Sequence, residues 1–122
     1  MTVNAFMSVS LEPQLITIAV DHKTTFYKNQ QHIQRFGVSV LREEQKEIAM
    51  IFAKQLKQSY EDFTTLDGIP VIQDALTTLA CTVTDTVEAG DHLLVIAKVD
   101  AIETNDGNPI LYYDSDYQTL NK

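Results

Sequence analysis

The chain has 122 residues, 44% hydrophobic and 21% charged, which are ordinary values for one soluble globular domain. Nine basic residues against 17 acidic ones give a net charge of -8, a sign that repels nucleic acid and anionic membrane. No apolar run approaches the length that crosses a bilayer, and the start lacks the charged and hydrophobic regions of a signal peptide.

The expectation is therefore a single cytoplasmic domain over residues 1–122. Its one cysteine, Cys81, alternates with Leu79 and Val83 in LACTV and reads as a small core residue, not a nucleophile.

In chain order, MTVNAFMSVSLEP sets small hydroxyl and amide side chains around one aromatic, Phe6. Leu15–Val20 (LITIAV) is a short apolar run closed by Asp21 and predicts a buried strand. Thr25–Gln34 predicts a short helix that Thr24 or Thr25 can cap. Phe36–Leu41 (FGVSVL) alternates as a second strand. Arg42–Lys57 predicts a longer helix with Ile48, Ile51, Phe52 and Leu56 on one face, although Arg42 cannot accept an orphan N–H at its cap. Ser59–Pro70 reads as a connector with a DGIP turn and Phe63 tucked inwards.

Leu76–Thr84 is Thr-rich and β-branched, and after the EAGD turn His92–Ile102 gives the longest strand. NDGN is a hairpin signal leading into Ile110–Tyr113, so these last three strands predict an antiparallel meander. Short strands with inserted helices argue for a mainly β fold, an antiparallel barrel or α+β arrangement.

Catalytic motifs are absent: there is no glycine-rich phosphate loop, no GxSxG and no HExxH. His22, His32 and His92 stand far apart, none at metal spacing with a second ligand, and Asp114 and Asp116 read as a solvated tail. No side chain stands out as nucleophile or base. Hydride transfer between a nicotinamide and a flavin needs none, only stacked rings, polar groups at the ring edge and a cation with hydroxyls for the phosphate. MTVNAFMSVS followed by DHKTT meets that description.

The order TVNAFMSVSLEPQLITIAVD, KTT, FGVSVLREEQKEIAMIFA, GIPVI, GDHLLVIAKV and PILYYDSDYQTL resembles the flavin reductase-like family almost end to end. The T-x-N-A-F-x-S-V-S-L-x-P block and Gly90-Asp91-His92 are its most specific features. The resemblance implies a mainly β, FMN-binding split β-barrel with inserted helices. Family members carry a further segment before the Met-Thr, so it also implies a barrel shortened at its N-terminus.

It implies that Thr2, Val3, Asn4, Ala5 and Phe6 meet the flavin ring edge, with Ser8, Val9 and Ser10 below. Asp21, His22, Lys23, Thr24 and Thr25 would hold the phosphate, and His92 would position the nicotinamide without acting as a proton donor. No acid, base or metal site is implied.

Each assignment has a plainer reading. Ser8 and Ser10 have the alternative of strand hydroxyls facing water, Phe6 of core, Lys23 and the threonines of a helix cap, and Tyr113 and Tyr117 of barrel packing. Ser39 and Arg42 stand where the family commonly has Asn and a capping Ser.

The implied function is an NAD(P)H-dependent flavin reductase, a homodimeric flavoprotein using FMN or FAD with NADH or NADPH and supplying a monooxygenase with reduced flavin. The alternatives are an FMN-binding electron-transfer or storage module without NAD(P)H oxidation, and a flavin-free dimeric homologue.

Overall fold

The structure is a computed structural model; it describes residues 1, 5–56, 58–113 and 116–118. Nine strands and two short α-helices occur among these residues: β1 (Phe6–Leu11), β2 (Gln14–Asp21), α1 (Thr25–Lys28), β3 (Arg35–Val40), α2 (Lys46–Phe52), β4 (Phe63–Leu66), β5 (Ile69–Ile72), β6 (Thr77–Ala89), β7 (His92–Thr104), β8 (Leu111–Tyr113) and β9 (Asp116–Gln118). Five strands form one antiparallel sheet in the order β1-β2-β7-β6-β3, while β4-β5 and β8-β9 form separate two-stranded ladders. No described helix is long and apolar enough to cross a membrane.

Alternation along the strands builds the core. Ile16, Ile18 and Val20 of β2 lie beside Ala97, Val95 and Leu93 of β7, and with Cys81, Leu79 and Phe36 they form one buried cluster. Val20, Val95 and Cys81 are fully buried, and each buried valine contributes roughly 1.5–3 kcal/mol. Phe26 and Tyr27 of α1, together with Ile33, cover this face, with Phe26 set edge-on to Phe36 at 5.7 Å.

The fold class expected from the sequence, mainly β with inserted helices in a split barrel, holds: the sheet is antiparallel and not closed. Strand expectations hold in position, and β6 and β7 run longer than predicted. The helices do not. Thr25–Gln34 divides into α1 and a separate 3-10 turn at Gln30–His32, because the chain is already extended at Ile33 to feed β3.

The second helix stops at Phe52 instead of Lys57. The Lys54 N–H donates to Ile51 O at 3.0 Å and the Gln55 N–H to Met50 O at 2.8 Å, with Lys54 at φ 60°. This is a Schellman ending with lysine where glycine is usual. The helix also starts at Lys46 instead of Arg42: Glu43–Gln45 is a separate 3-10 turn, ahead of which Arg42 gives no side-chain cap, and the Gln45 side chain accepts from the Arg42 N–H at 2.8 Å.

The connector expected over Ser59–Pro70 contains β4 and the start of β5. These strands are joined by Asp67-Gly68 with φ values of 51° and 79°, both positive as a type I′ hairpin turn requires. Phe63 is not tucked in: it is 47% exposed and packs against the rings of Phe52 and Tyr60.

The expected meander fails at its third strand. β7 already has β2 on one side and β6 on the other, so β8 finds no free edge there and pairs with β9. The intervening chain crosses the sheet end, with Asn105 N–H donating to Leu76 O at 2.7 Å and Pro109 bridging Arg42.

Candidate functional site

Two connections meet at one end of the sheet. In the β2–β7 ladder Asp21 is the partner of His92, and in β6–β7 Ala89 is the partner of the same histidine. The Gly90-Asp91 turn closes that hairpin with Gly90 at φ 65°, a conformation a type II′ turn needs at its first central residue. The turn after β2 is held against it by the His22 N–H, which donates to Asp91 O at 3.1 Å.

The 21–25 turn builds itself from its own side chains. Asp21 Oδ1 accepts from the Lys23 N–H at 2.8 Å, Thr24 Oγ1 donates to Asp21 O at 2.8 Å, and the same oxygen accepts from the Tyr27 N–H at 3.1 Å as the cap of α1. Asp21 and Thr24 are thus occupied in shaping the backbone. Lys23 and Thr25 are exposed, leaving an ammonium and a hydroxyl on the surface of the turn.

His22 is not free either. Its Nε2 lies 2.8 Å from Glu88 Oε2, its ring stacks on Tyr27 with centroids 4.2 Å apart, and the Tyr27 hydroxyl donates to Glu88 Oε1 at 3.0 Å. That hydrogen bond, with lesser contributions from desolvation and the Glu88 charge, raises the phenol above its ordinary range. On the turn itself, His92 Nδ1 lies 2.7 Å from Asp91 Oδ1. Hydrogen bonding from His92, followed by its charge, holds the Asp91 carboxyl below the usual carboxylate range.

Strand β1 brings the first block alongside. The Ala19 N–H donates to Ala5 O at 3.1 Å, and Phe6 stands opposite Ile18, 39% exposed. Ser8 stands opposite Ile16, but a bulge at Val9 shifts the register so that Ser10 pairs with Leu15. Paired residues share a face and neighbours along a strand do not, so Ser8 and Ser10 fall on opposite faces.

The structure therefore gathers Asp21, His22, Lys23, Thr24, Thr25 and His92 at one end, with Ala5 and Phe6 beside them. Ser10 is six residues from Asp21 along the register, about 20 Å away. Thr2, Val3 and Asn4 lie outside the described residues.

Sequence reasoning missed Tyr27 and Glu88, and treated Asp91 as a turn residue only. A cleft of about 70 Å³ lined by Thr64, Asp74, Thr78, Glu103 and Asn105 is polar, but it lies at the opposite end of the sheet. No group of three or more His, Cys, Asp or Glu side chains that could hold a metal occurs among the described residues.

The donor set at the site suits a phosphorylated, planar ligand: an exposed cation and hydroxyl on the turn, an aromatic ring and backbone amides on the edge strand, and one histidine on the hairpin.

The family model described as "Flavin reductase like domain" matches residues 1–121. The chain is 31% identical over 121 residues to an NADH-dependent flavin reductase of Rhodococcus sp, covering 98% of this chain and 69% of that protein. It superposes on flavin reductase PheA2 in its native state with a TM-score of 0.95 at 38% identity, covering 100% of this chain and 80% of that one. The styrene monooxygenase flavin reductase of Pseudomonas putida S12 gives a TM-score of 0.91 at 34% identity, with the same 100% and 80% coverage. The chain belongs to the flavin reductase-like family.

Proposed function

We propose that the chain binds a flavin mononucleotide, or the dinucleotide FAD, and passes a hydride to it from NADH or NADPH, so furnishing reduced flavin to a partner monooxygenase. The observation that carries this reading is the ladder register that places His92 opposite Asp21, at the head of the Lys23–Thr25 turn. Relatives named as NADH-dependent flavin reductase and as the flavin reductase of a styrene monooxygenase support it.

Lys23 and Thr25 would bind the phosphate, with Lys23 supplying the only formal positive charge on that turn apart from any on His22. Ala5 and Phe6 would border the ring, and the exposed Ser8 hydroxyl would meet it from the strand. When bound, the flavin supplies hydride-accepting chemistry that asks no acid or base of the protein. His92, oriented by Asp91, would position the nicotinamide; orientation alone can supply much of such a rate.

A second copy of the chain would complete the assembly. β1 is an edge strand whose outer side is unpaired among the described residues, and Met7, Val9 and Leu11 on it are 61%, 50% and 83% exposed. An open apolar edge of this kind invites a partner.

The test is NADH absorbance with and without added FMN. Loss of absorbance that requires FMN supports a reductase. Flavin bound without NADH or NADPH oxidation would contradict it and favour a storage or transfer module.

A further inference from the structure

We infer that Glu88 is a positioning residue: its carboxylate ties the tip of the β6–β7 hairpin to the 21–25 turn and so sets His92 relative to the flavin-phosphate end of the site. This rests on the functional reading above.

Three observations carry it. The two carboxylate oxygens are divided between elements, Oε2 to His22 Nε2 at 2.8 Å and Oε1 to the Tyr27 hydroxyl at 3.0 Å. The His22–Tyr27 stack between them makes turn and helix one unit, so Glu88 holds both at once. The His22 N–H also donates to Asp91 O at 3.1 Å, so the hairpin holds it from both β6 and the closing turn.

β2 holds the β7 side of the tip as far as the Asp21–His92 pair, but the β6 side has fewer sheet neighbours. β3 pairs with β6 only over Thr77–Thr82, and the Val83 N–H makes one further bond, to Gln34 O at 2.8 Å. Beyond that point β6 has only β7 beside it in the sheet. From this stretch of β6, Glu88 adds a side-chain tie to the turn and to α1. A carboxylate 58% exposed contributes little to overall stability, so its effect falls on geometry, not on folding.

The experiment compares Glu88→Ala, Glu88→Gln, His22→Ala and the Glu88→Ala/His22→Ala double variant. FMN affinity, NADH KM and the tyrosine titration are read well below the unfolding midpoint. Glu88→Ala is expected to raise the FMN Kd and the NADH KM by roughly threefold to tenfold. One phenol, absent in Tyr27→Phe, should then titrate at lower pH.

Glu88→Gln still accepts from Tyr27 and should stay within about twofold of the unmodified protein. The double variant should bind no worse than the weaker single one, because the His22–Glu88 contact is lost in either single variant.

Unaltered FMN Kd and NADH KM in Glu88→Ala, or losses that add in the double variant, overturn the inference while leaving the function intact. Failure of the unmodified protein to bind FMN overturns the functional reading and this role with it.

Discussion

Asp21 and His92 are direct partners across the β2–β7 ladder although they come from opposite halves of the chain. That pairing joins the turn carrying Lys23 and Thr25 to the hairpin carrying His92, and it follows from the alternation of two apolar strands. Ile16, Ile18 and Val20 must share the buried face with Ala97, Val95 and Leu93, and a one-residue slip of β2 would turn its three out of the core. The core thus determines which polar residues meet at its end.

His92→Ala is expected to lower NADH turnover by about tenfold or more while changing the FMN Kd by less than about threefold, since the histidine positions the second substrate. Steady-state kinetics alongside an FMN titration check this. Collapse of FMN binding with turnover per bound flavin unchanged would assign His92 to the flavin instead.

The His92–Asp91 contact also carries a pH signature. Because the folded Asp91 carboxyl lies below its ordinary value, its contribution is present above the ordinary carboxylate pKa and is lost as pH falls through the folded one. Asp91→Asn should therefore reduce the dependence of hairpin amide exchange on pH in the acid range.

Gly37→Ala should destabilise the protein by about 1–3 kcal/mol. A Cβ there would lie 2.6 Å from Pro70 O and 2.9 Å from Val71 Cγ1, so the β4–β5 hairpin would have to move off β3. The Ser39 hydroxyl, which accepts from the Ile72 N–H at 3.0 Å, would lose its partner in the process. Denaturant unfolding should show a lower midpoint at an unchanged slope.

Thr17→Val should be neutral or stabilising by about 1 kcal/mol. Thr17 is 8% exposed, and its hydroxyl finds no hydrogen-bond partner among the described residues. Valine keeps the shape and the strand preference without the stranded polar atom. A fall in melting temperature would show that the hydroxyl is satisfied in solution.

Cys81 should resist thiol reagents at pH 8 in the folded protein and react on unfolding. It is fully buried, and desolvation, reinforced by the charge of Asp100, pushes its thiol up to about 11. Rapid modification of the folded protein would contradict the core placement.

Much of this architecture was legible in the residues. LITIAV and HLLVIAKVDAI announce strands through their apolar, β-branched runs, and Asp21, Thr24 and Gly90 announce the turns through their local chemistry. What was not legible depends on partners distant in sequence or on exceptions to local rules. Glu88 in DTVEAG reads as an exposed strand acid, and only folding brings His22 and Tyr27 to it. Val9 carries no bulge signal, so Ser8 and Ser10 looked like one face. Lys54 ends α2 in a left-handed conformation that glycine would have advertised. The place of β8 was decided by β7 having no free edge, which no local pattern reports.

The central claim is that this chain binds flavin at the end of the sheet where Asp21 meets His92. A fluorescence titration of FMN with the protein, with and without NADH, tests it most directly. Saturable FMN binding is expected, weakened by Lys23→Ala, with NADH consumed only when both protein and FMN are present. Folded protein that leaves FMN fluorescence unchanged at every concentration would contradict it.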